Sequence, residues 1–349
     1  MSACALEVRD LAVRYPQHSA LERASFQLEH GAIACLAGPS GSGKTTLLHA
    51  IAGFTAIARG EILIHGESVS TPARTVTPES RGAGVVFQDF ALFPHLSAAG
   101  NITAAMQSRP AGRRAEWAIR YLAQMDLAEF ADSFPQQMSG GQQARLALAR
   151  ALAAEPRLLL LDEPFANLDR ELRLAGVARL RETVKSRGIA CLLVTHDLGD
   201  ALALGDQVGI LEHGRIVQWG APGDLHQSPA HPATVRLLGH GALLHGTAHT
   251  RGLARTALGD LALSNGVAIR PGQPLSVWVR PEQLSTDNAP PGNAGVLRVT
   301  DNGVERQVRL QLDSGEQVVA HYTPGNAPRP GERRTVRARG EIFTAFAAG

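Results

Sequence analysis

A short stretch of small residues after an apolar run has the pattern of a loop that binds phosphate. It satisfies G-x-x-x-x-G-K-[ST] between the apolar run Ile33–Ala37 and a helical stretch, Thr46 to Ala52, that should end at Gly53. The glycines allow successive backbone N–H groups to face inward, and the helix N-terminus adds partial positive charge. The predicted nucleotide-binding residues are Gly38, Pro39, Ser40, Gly41, Ser42, Gly43, Lys44, Thr45 and Thr46.

Lys44 is unusual against the composition of the chain. Of 34 Lys and Arg residues, only Lys44 and Lys185 are lysines. A compact ammonium fits between the loop and the β- and γ-phosphates of a nucleotide, whereas a planar guanidinium would not. Lys185 has no such context, and we expect it to be a solvated helix residue.

Two adjacent carboxylates follow a second apolar run. Leu158 to Leu161 lacks alternation, which is typical of a buried parallel strand, and it leads into Asp162 and Glu163. Ligands collect at the carboxyl ends of such strands. The Thr45 hydroxyl would hold Mg²⁺, and Asp162 would bind the ion either directly or through its coordinated water. Glu163 would polarise an attacking water as general base. A phosphate-binding loop alone leaves kinases, GTPases and ATPases open, so the remaining motifs must decide.

A second set of glycines begins a later helix. Ser139, Gly140, Gly141 and Gln142 precede residues with an apolar helical face, so open backbone N–H groups and the helix dipole would make another anion site. One chain then has two phosphate-binding devices for one nucleotide. An economical arrangement is a head-to-tail dimer in which each device completes the site of the other subunit.

These motifs together resemble the ATPase subunits of ABC transporters. Met138 to Gln142 is similar to the signature that defines the family, with Met where Leu is commoner. The motifs follow the family's order and spacing from residue 1 to about 240. The family often has Glu where this chain has Gly100, which makes the surface near the membrane-subunit contact less predictable.

The resemblance implies roles for four further residues. Tyr15 would stack on adenine, Gln88 would sense Mg²⁺ and couple to the membrane subunit, and His196 would be the switch histidine. Asp169, in Asn167-Leu168-Asp169, belongs to a loop that crosses the dimer interface. The implied catalytic residues are Glu163 and His196, and the implied Mg²⁺ ligands are Thr45, Gln88 and Asp162.

Strand and helix patterns place these motifs in an α/β fold. Apolar alternation from Leu6 to about Leu28 predicts antiparallel strands, and the periodic stretch from about Ala98 to Ala154 predicts helix. Strands are predicted at 85–87, 189–194 and 208–211, and a helix at 170–186. The expected fold of residues 1–240 is a P-loop ABC ATPase domain with a mostly parallel core sheet, an N-terminal antiparallel β subdomain and a helical signature subdomain.

The pattern changes to short alternating strands after about residue 238. Apolar and other residues alternate in 275–279 and in 308–312. Turns are indicated by Asp301-Asn302-Gly303 and Asp313-Ser314-Gly315. Residues 241–349 are therefore expected to form a separate all-β domain. It resembles the OB-like domain, often called TOBE, of importer ATPases, and Arg280-Pro281-Glu282 matches a recurrent element of that domain.

Composition and charge weigh against several other classes. The formal net charge of +2 is spread along the chain and provides no basic stripe for nucleic acid. The three distant cysteines indicate a reducing compartment, and no stretch reaches the roughly 18 apolar residues of a membrane span. The histidines between 226 and 249 have no metal-ligand spacing. Any membrane role would come from docking onto another protein.

The resemblance also implies a complex and a cargo. Two copies would bind ATP and Mg²⁺ at the cytoplasmic face of the bacterial inner membrane, engage integral-membrane permease subunits and serve a periplasmic solute-binding protein indirectly. Gly239-His240-Gly241 and Leu92-Phe93-Pro94-His95-Leu96 are most similar to ferric-iron importers. Polyamine, thiamine, sulfate, phosphonate and sugar importers share much of this pattern.

A soluble ABC ATPase without a transport role is the alternative from another class. Translation and resistance factors usually carry two ATPase units, and this sequence has one P-loop. Chromosome and repair ATPases place a long coiled coil between P-loop and signature, but no sustained heptads lie between Lys44 and Ser139. A non-enzymatic module conflicts with the presence of both Glu163 and His196.

Overall fold

The computed structural model describes residues 4–106, 109–166, 168–239, 241–250, 252–264, 270–301, 306–322, 328–340 and 342–347. Asn167, His240, Asn302 and Gly303, which the sequence motifs include, lie outside the described residues. The chain divides into two compact units, Met1–Leu225 and His226–Gly349. The division precedes residue 240, where the sequence changes character, because the helix at Pro232–Leu238 groups with the second unit.

One 11-stranded sheet forms the centre of the first unit. Its strands are β1 (Cys4–Tyr15), β2 (His18–Glu29), β3 (Ile33–Ala37), β4 (Arg59–Ile64), β5 (Glu67–Thr71), β6 (Arg74–Thr75), β7 (Ala83–Val86), β8 (Leu158–Asp162), β9 (Ala190–Thr195), β10 (Gln207–Glu212) and β11 (Arg215–Gly220). The order across the sheet is β6-β5-β4-β1-β2-β11-β10-β3-β9-β8-β7. The expected antiparallel strands are therefore present, and they continue into the parallel core strands β10, β3, β9, β8 and β7.

The α-helices of the described residues lie in the first unit and at the start of the second. They are α1 (Lys44–Ala52), α2 (Ala98–Ala105), α3 (Ala111–Gln124), α4 (Gly140–Ala153), α5 (Arg170–Arg187), α6 (Leu198–Leu204), α7 (Pro222–Gln227) and α8 (Pro232–Leu238). Gly53 ends α1 in a left-handed conformation, as predicted. The stretch predicted to be helical, from about Ala98 to Ala154, contains α2, α3 and α4, and Pro110 and Pro135 stand at breaks between these helices.

The register of the core strands brings the motifs to one edge of the sheet. Every residue of β3, β8 and β9 is buried, which explains their unbroken apolar sequences. Ala37 pairs with Thr195, and Asp162 pairs with Val194. The strands that precede the P-loop, Glu163 and His196 therefore end side by side. This brings the three features together although they are far apart in sequence.

Two basic side chains connect segments of the first unit that are distant in sequence. Arg81 is 4% exposed and donates hydrogen bonds to the carbonyls of Ala50 and Ile51 at the end of α1, to Val69 O and Val76 O, and to Ser70 Oγ. Burial lowers the pKa of Arg81 to about 10. Lys185 is an exposed residue of α5, as expected, and it also has partners: its Nζ lies 2.6 Å from Asp206 Oδ2 and donates to Gly31 O at 3.0 Å, so it joins α5 to the start of the core strands.

The second unit is all-β apart from α8 and short turns of helix. Its strands are β12 (Ala242–Thr250), β13 (Leu253–Thr256), β14 (Gly259–Ala262), β15 (Pro274–Val279), β16 (Leu284–Asp287), β17 (Ala294–Asp301), β18 (Arg306–Leu312), β19 (Gln317–His321), β20 (Arg333–Ala338) and β21 (Thr344–Ala347). They form two five-stranded sheets, β14-β13-β12-β15-β21 and β16-β20-β17-β18-β19. Val308, Leu310 and Leu312 are buried, which confirms the predicted alternation of β18. Within the described residues, no helix combines the length and apolar character required to cross a membrane.

Candidate functional site

The P-loop wraps around the side chain of Lys44 between β3 and α1. Gly41 and Gly43 have φ values of 78° and 105°, a conformation that favours glycine, and a Cβ on Gly43 would lie 2.6 Å from Ala20 O. Lys44 is 6% exposed, and its Nζ donates to Gly38 O and Pro39 O, both at 2.9 Å. Burial lowers the pKa of Lys44, and the carboxylates of Glu163 and Asp162 oppose that shift.

The loop has unsatisfied hydrogen-bonding capacity that suits phosphate. Ser42 Oγ is buried and has no hydrogen-bond partner among the described residues, and a buried polar group of this kind requires a partner. The N-terminus of α1 points into the same loop, where the helix dipole favours an anion. The P-loop residues therefore fit a phosphate group by both charge and hydrogen bonding.

The two carboxylates after β8 have different environments. Asp162 is 3% exposed and accepts a hydrogen bond from Thr45 Oγ1 at 3.4 Å. Burial raises the pKa of Asp162, and the hydrogen bond from Thr45 opposes this. Glu163 has a φ of 45°, unusual for a residue other than glycine, and its N–H donates to Val194 O at 3.0 Å. The Glu163 side chain is thereby turned away from the strand and towards His196.

Glu163 and His196 are in direct contact. His196 Nδ1 lies 2.8 Å from Glu163 Oε2, and the two residues are 33 positions apart in sequence. The Glu163 side chain is 17% exposed and that of His196 is 50% exposed. The pair therefore combines a largely shielded carboxylate with an imidazole that remains open to a ligand.

A cavity of about 740 Å³ joins the P-loop to this pair. The predicted site residues that line it are Ser40, Gly41, Gly43, Lys44, Thr45, Thr46, Gln88, Glu163 and His196. Gly38, Pro39 and Ser42 belong to the loop without lining the cavity, and Asp162 reaches it only through Thr45. Hydroxyl, amide and carboxylate oxygens of Thr45, Gln88 and Asp162 are the donor types that Mg²⁺ prefers.

Two hairpins border the cavity, a position that no sequence motif indicated. His18, Ser19, Ala20 and Glu22 line it from the start of β2, and His213 and Gly214 line it from the turn between β10 and β11. Gly214 N donates to Ser42 O at 3.0 Å, which fixes this turn against the P-loop. The His-Gly pair between two apolar runs signals a turn, but a sequence pattern does not show what that turn contacts.

Tyr15 lies beside the cavity and does not line it. It pairs with His18 across the β1–β2 hairpin, with the ring centroids 5.3 Å apart. Tyr15 is 39% exposed. The two rings are tilted by 31° relative to each other, and both side chains are exposed.

The signature residues occupy a different part of the first unit. Ser139 caps α4: Ser139 Oγ accepts from Gln142 N at 3.3 Å, and Gln142 Oε1 accepts from Ser139 N at 2.7 Å. Ser139 and Gly141 line a separate apolar cavity of about 340 Å³ rather than the P-loop cavity. Asp169 caps α5 by accepting from Leu172 N at 2.9 Å. Within one chain, the described residues of these two motifs therefore stand apart from the P-loop cavity.

The site is that of a P-loop ATPase. It has a P-loop and a buried strand that leads into two carboxylates, and a second glycine motif begins α4 elsewhere in the unit. The family model described as "ABC transporter" matches residues 21–166. The chain is 38% identical over 343 residues to the Fe(3+) ions import ATP-binding protein FbpC of Serratia marcescens, covering 96% of this chain and 97% of that protein. It is 37% identical to the spermidine/putrescine import ATP-binding protein PotA of Chromobacterium violaceum, covering 82% of this chain and 80% of that protein.

A solved structure is also similar to this chain in fold and sequence. It is a dimeric post-hydrolysis state of the ATP-binding cassette MJ0796 bound to ADP and Pi, with a TM-score of 0.57 and 28% sequence identity, and the match covers 62% of this chain and 98% of that chain. The chain therefore belongs to the ABC transporter family, as an ATP-binding import subunit that couples ATP hydrolysis to transport. The family and the fold class expected from the sequence are confirmed.

Proposed function

We propose that Glu163 and His196 are the catalytic residues of this ATPase, and that the chain works as a dimer on the cytoplasmic side of a membrane import complex for ferric iron. The observation that carries the catalytic part is the 2.8 Å contact between Glu163 and His196 in the wall of the P-loop cavity. It places a carboxylate and an imidazole together where the terminal phosphate of a bound nucleotide would lie.

The P-loop cavity would bind the nucleotide through its phosphates. Lys44, which lines the cavity, and the N-terminus of α1 supply positive charge for a phosphate group. Tyr15, which is exposed beside the cavity, offers the aromatic ring on which adenine would stack. Thr45, Gln88 and Asp162 would hold Mg²⁺, which when bound neutralises phosphate charge.

Glu163 would act on the attacking water. Its carboxylate is shielded from solvent and held towards His196 by the strained backbone at Glu163 and by the contact with Nδ1. A carboxylate in this position accepts the proton of the water while the other face of the imidazole stays open to the γ-phosphate. Glu163 is therefore assigned as general base, and His196 as the residue that orients it and hydrogen-bonds the γ-phosphate.

Two copies of the chain would complete each other's site. Ser139 to Gln142 present the N-terminus of α4, and Ser139 and Gly140 are exposed. Because the described signature residues do not line the P-loop cavity of their own chain, they are free to face the nucleotide of a second chain. Asp169, at the start of α5, would lie in the same interface. The dimeric state of the ATP-binding cassette MJ0796 supports this arrangement.

Ferric iron is the proposed cargo of the complex. Support comes from the motifs around Phe93 and Gly239 and from the likeness to the iron import protein of Serratia marcescens over nearly the whole length of both chains. Polyamine import is the second candidate, because the likeness to PotA of Chromobacterium violaceum is almost as high. The partners would be integral-membrane permease subunits and, through them, a periplasmic binding protein.

Reconstitution of the complete complex tests both parts of the proposal. The chain would be purified with its permease subunits in lipid vesicles, and ATP turnover would be measured with the cognate binding protein loaded with ferric iron, spermidine or neither. Stimulation by iron-loaded binding protein alone supports the proposed cargo. Stimulation by spermidine alone replaces it with the second candidate, and failure to co-purify with any membrane subunit contradicts the transport role.

A further inference from the structure

The last turn of the signature helix binds the loop that follows Gln88. The guanidinium of Arg150, near the end of α4, donates from Nη2 to Phe90 O at 2.9 Å and from Nη1 to Ala91 O at 2.6 Å. One planar group thus binds two consecutive backbone carbonyls. Such a fork fixes the orientation of its partner as well as its distance, which an ammonium cannot do.

The two carbonyls belong to residues with an unfavourable backbone conformation. Phe90 has a φ of 62° and Ala91 a φ of 44°, so both lie in the left-handed region although neither is glycine. Residues of this kind persist only where surrounding contacts hold them. Phe90 N donates to Phe87 O at 2.9 Å and closes a turn whose central residues are Gln88 and Asp89. The strained pair therefore ends the turn that presents Gln88.

The guanidinium of Arg150 is partly buried where it contacts the loop. The guanidinium carbon lies 5.5 Å from the centroid of the Phe93 ring, and burial lowers the pKa of Arg150 while the carboxylate of Asp89 opposes that shift. A half-buried cation needs hydrogen-bond acceptors to offset its lost hydration. Both carbonyls of the strained pair meet that need, so the loop and the arginine stabilise each other.

We propose that Arg150 is a positioning residue that holds the Gln88 turn at the P-loop cavity and links its position to that of the signature helix. The same helix begins at the signature residue Ser139 and ends beside this turn, and Gln88 lines the nucleotide cavity. A displacement of α4 during dimer closure would be passed to Gln88 through Arg150. The inference rests on the role proposed above for Gln88.

Five variants of the full chain test this inference, with ATP turnover and nucleotide binding measured for each. Arg150→Met is expected to lower kcat roughly tenfold, because a misplaced catalytic turn loses alignment, while binding of a fluorescent ATP analogue changes by less than about twofold because the P-loop is intact. Arg150→Lys, which keeps the charge and loses the fork, should give an intermediate kcat. It carries the test if thermal unfolding shows that Arg150→Met does not fold.

The third variant separates a positioning role from a structural one. In the Arg150→Met background, Ala91→Gly should raise kcat at least about threefold, because glycine adopts a positive φ without strain and no longer needs the clamp. The fourth, Arg145→Met, is the matched control. Arg145 is on the same helix and donates to Met125 O at 3.0 Å, away from the Gln88 turn. Its loss should leave kcat within about twofold of the unmodified chain.

The outcomes distinguish this inference from the role of Gln88 itself. If Gln88→Ala leaves kcat unchanged, the role proposed for Gln88 fails and the inference fails with it. If Gln88→Ala lowers kcat but Arg150→Met does not, only the inference is overturned. Loss of activity in Arg150→Met without any rescue by Ala91→Gly also overturns it, because Arg150 then contributes packing alone.

Discussion

Replacement of Glu163 by glutamine separates ATP binding from ATP hydrolysis. The change is isosteric: the amide oxygen still accepts a hydrogen bond from His196 Nδ1, and the left-handed backbone at Glu163 is as accessible to Gln as to Glu. The Lys44 ammonium and the P-loop carbonyls that it contacts are not altered. Only the capacity to accept a proton from water is removed.

The expected effect follows from the size of general-base catalysis. Glu163→Gln should lower kcat by about 10²- to 10⁴-fold, the contribution typical of a positioned base. ATP affinity should change by less than about threefold, because the phosphate contacts remain. Since hydrolysis is needed to reopen the proposed dimer, ATP should convert the variant from monomer to dimer.

Phosphate release measures turnover, and size-exclusion chromatography with and without ATP measures the dimer. Glu155→Gln is the control, because Glu155 carries a carboxylate that is 53% exposed and pairs with Arg109 outside the cavity. Turnover of Glu163→Gln within about tenfold of the unmodified chain would refute Glu163 as the base. A tenfold loss of ATP affinity would show that the substitution disturbs the P-loop, and the same reasoning would fail.

Three further predictions address the P-loop and the core. Lys44→Ala should lose at least about 100-fold in ATP affinity, measured by equilibrium binding. Lys44→Arg should not restore that affinity, because the loop carbonyls enclose the ammonium and a guanidinium would not fit. Unaltered affinity in either variant would contradict the P-loop assignment. Arg81→Met should lower the free energy of unfolding by about 3–5 kcal/mol in urea titrations, because the carbonyls at the end of α1 lose their donor. Asp162→Asn should abolish Mg²⁺-dependent turnover yet raise the melting temperature of the nucleotide-free chain. A carboxyl whose folded pKa is raised opposes folding once it ionises, so this gain should be present at pH 7 and shrink as the pH falls through the raised pKa of Asp162 towards the unfolded value; a destabilised nucleotide-free variant at pH 7 would contradict it.

Local motifs of the site could be predicted because their residues are contiguous. The P-loop depends on a strand, a run of glycines and a helix that follow one another, and each has its own sequence signal. The buried strand before Asp162 was equally clear, because a parallel core strand has no polar face. In such motifs, residues that are neighbours in the sequence are also neighbours in the structure.

Contacts between distant segments could not be predicted from patterns in this way. The turn at His213 and Gly214 closes over the P-loop because β10 lies beside β3 in the sheet, and strand order is not visible in either strand's sequence. The left-handed pair Phe90 and Ala91 has no glycine to mark it. Arg150 could be recognised as a helix residue, but its partners lie about 60 residues earlier in the chain.

The pairing of β3, β9 and β8 also determines where the chain tolerates changes of length. Side chains alternate between the two faces of a strand, so one residue deleted within Leu158–Asp162 would reverse the face of every residue beyond it. It would also draw Glu163 back from the level of His196, which the pairing of Asp162 with Val194 now sets. The turns at the amino ends of these strands, away from the site, carry no such restriction. We therefore expect insertions and deletions to be tolerated in those turns and to be absent from the five residues of β8.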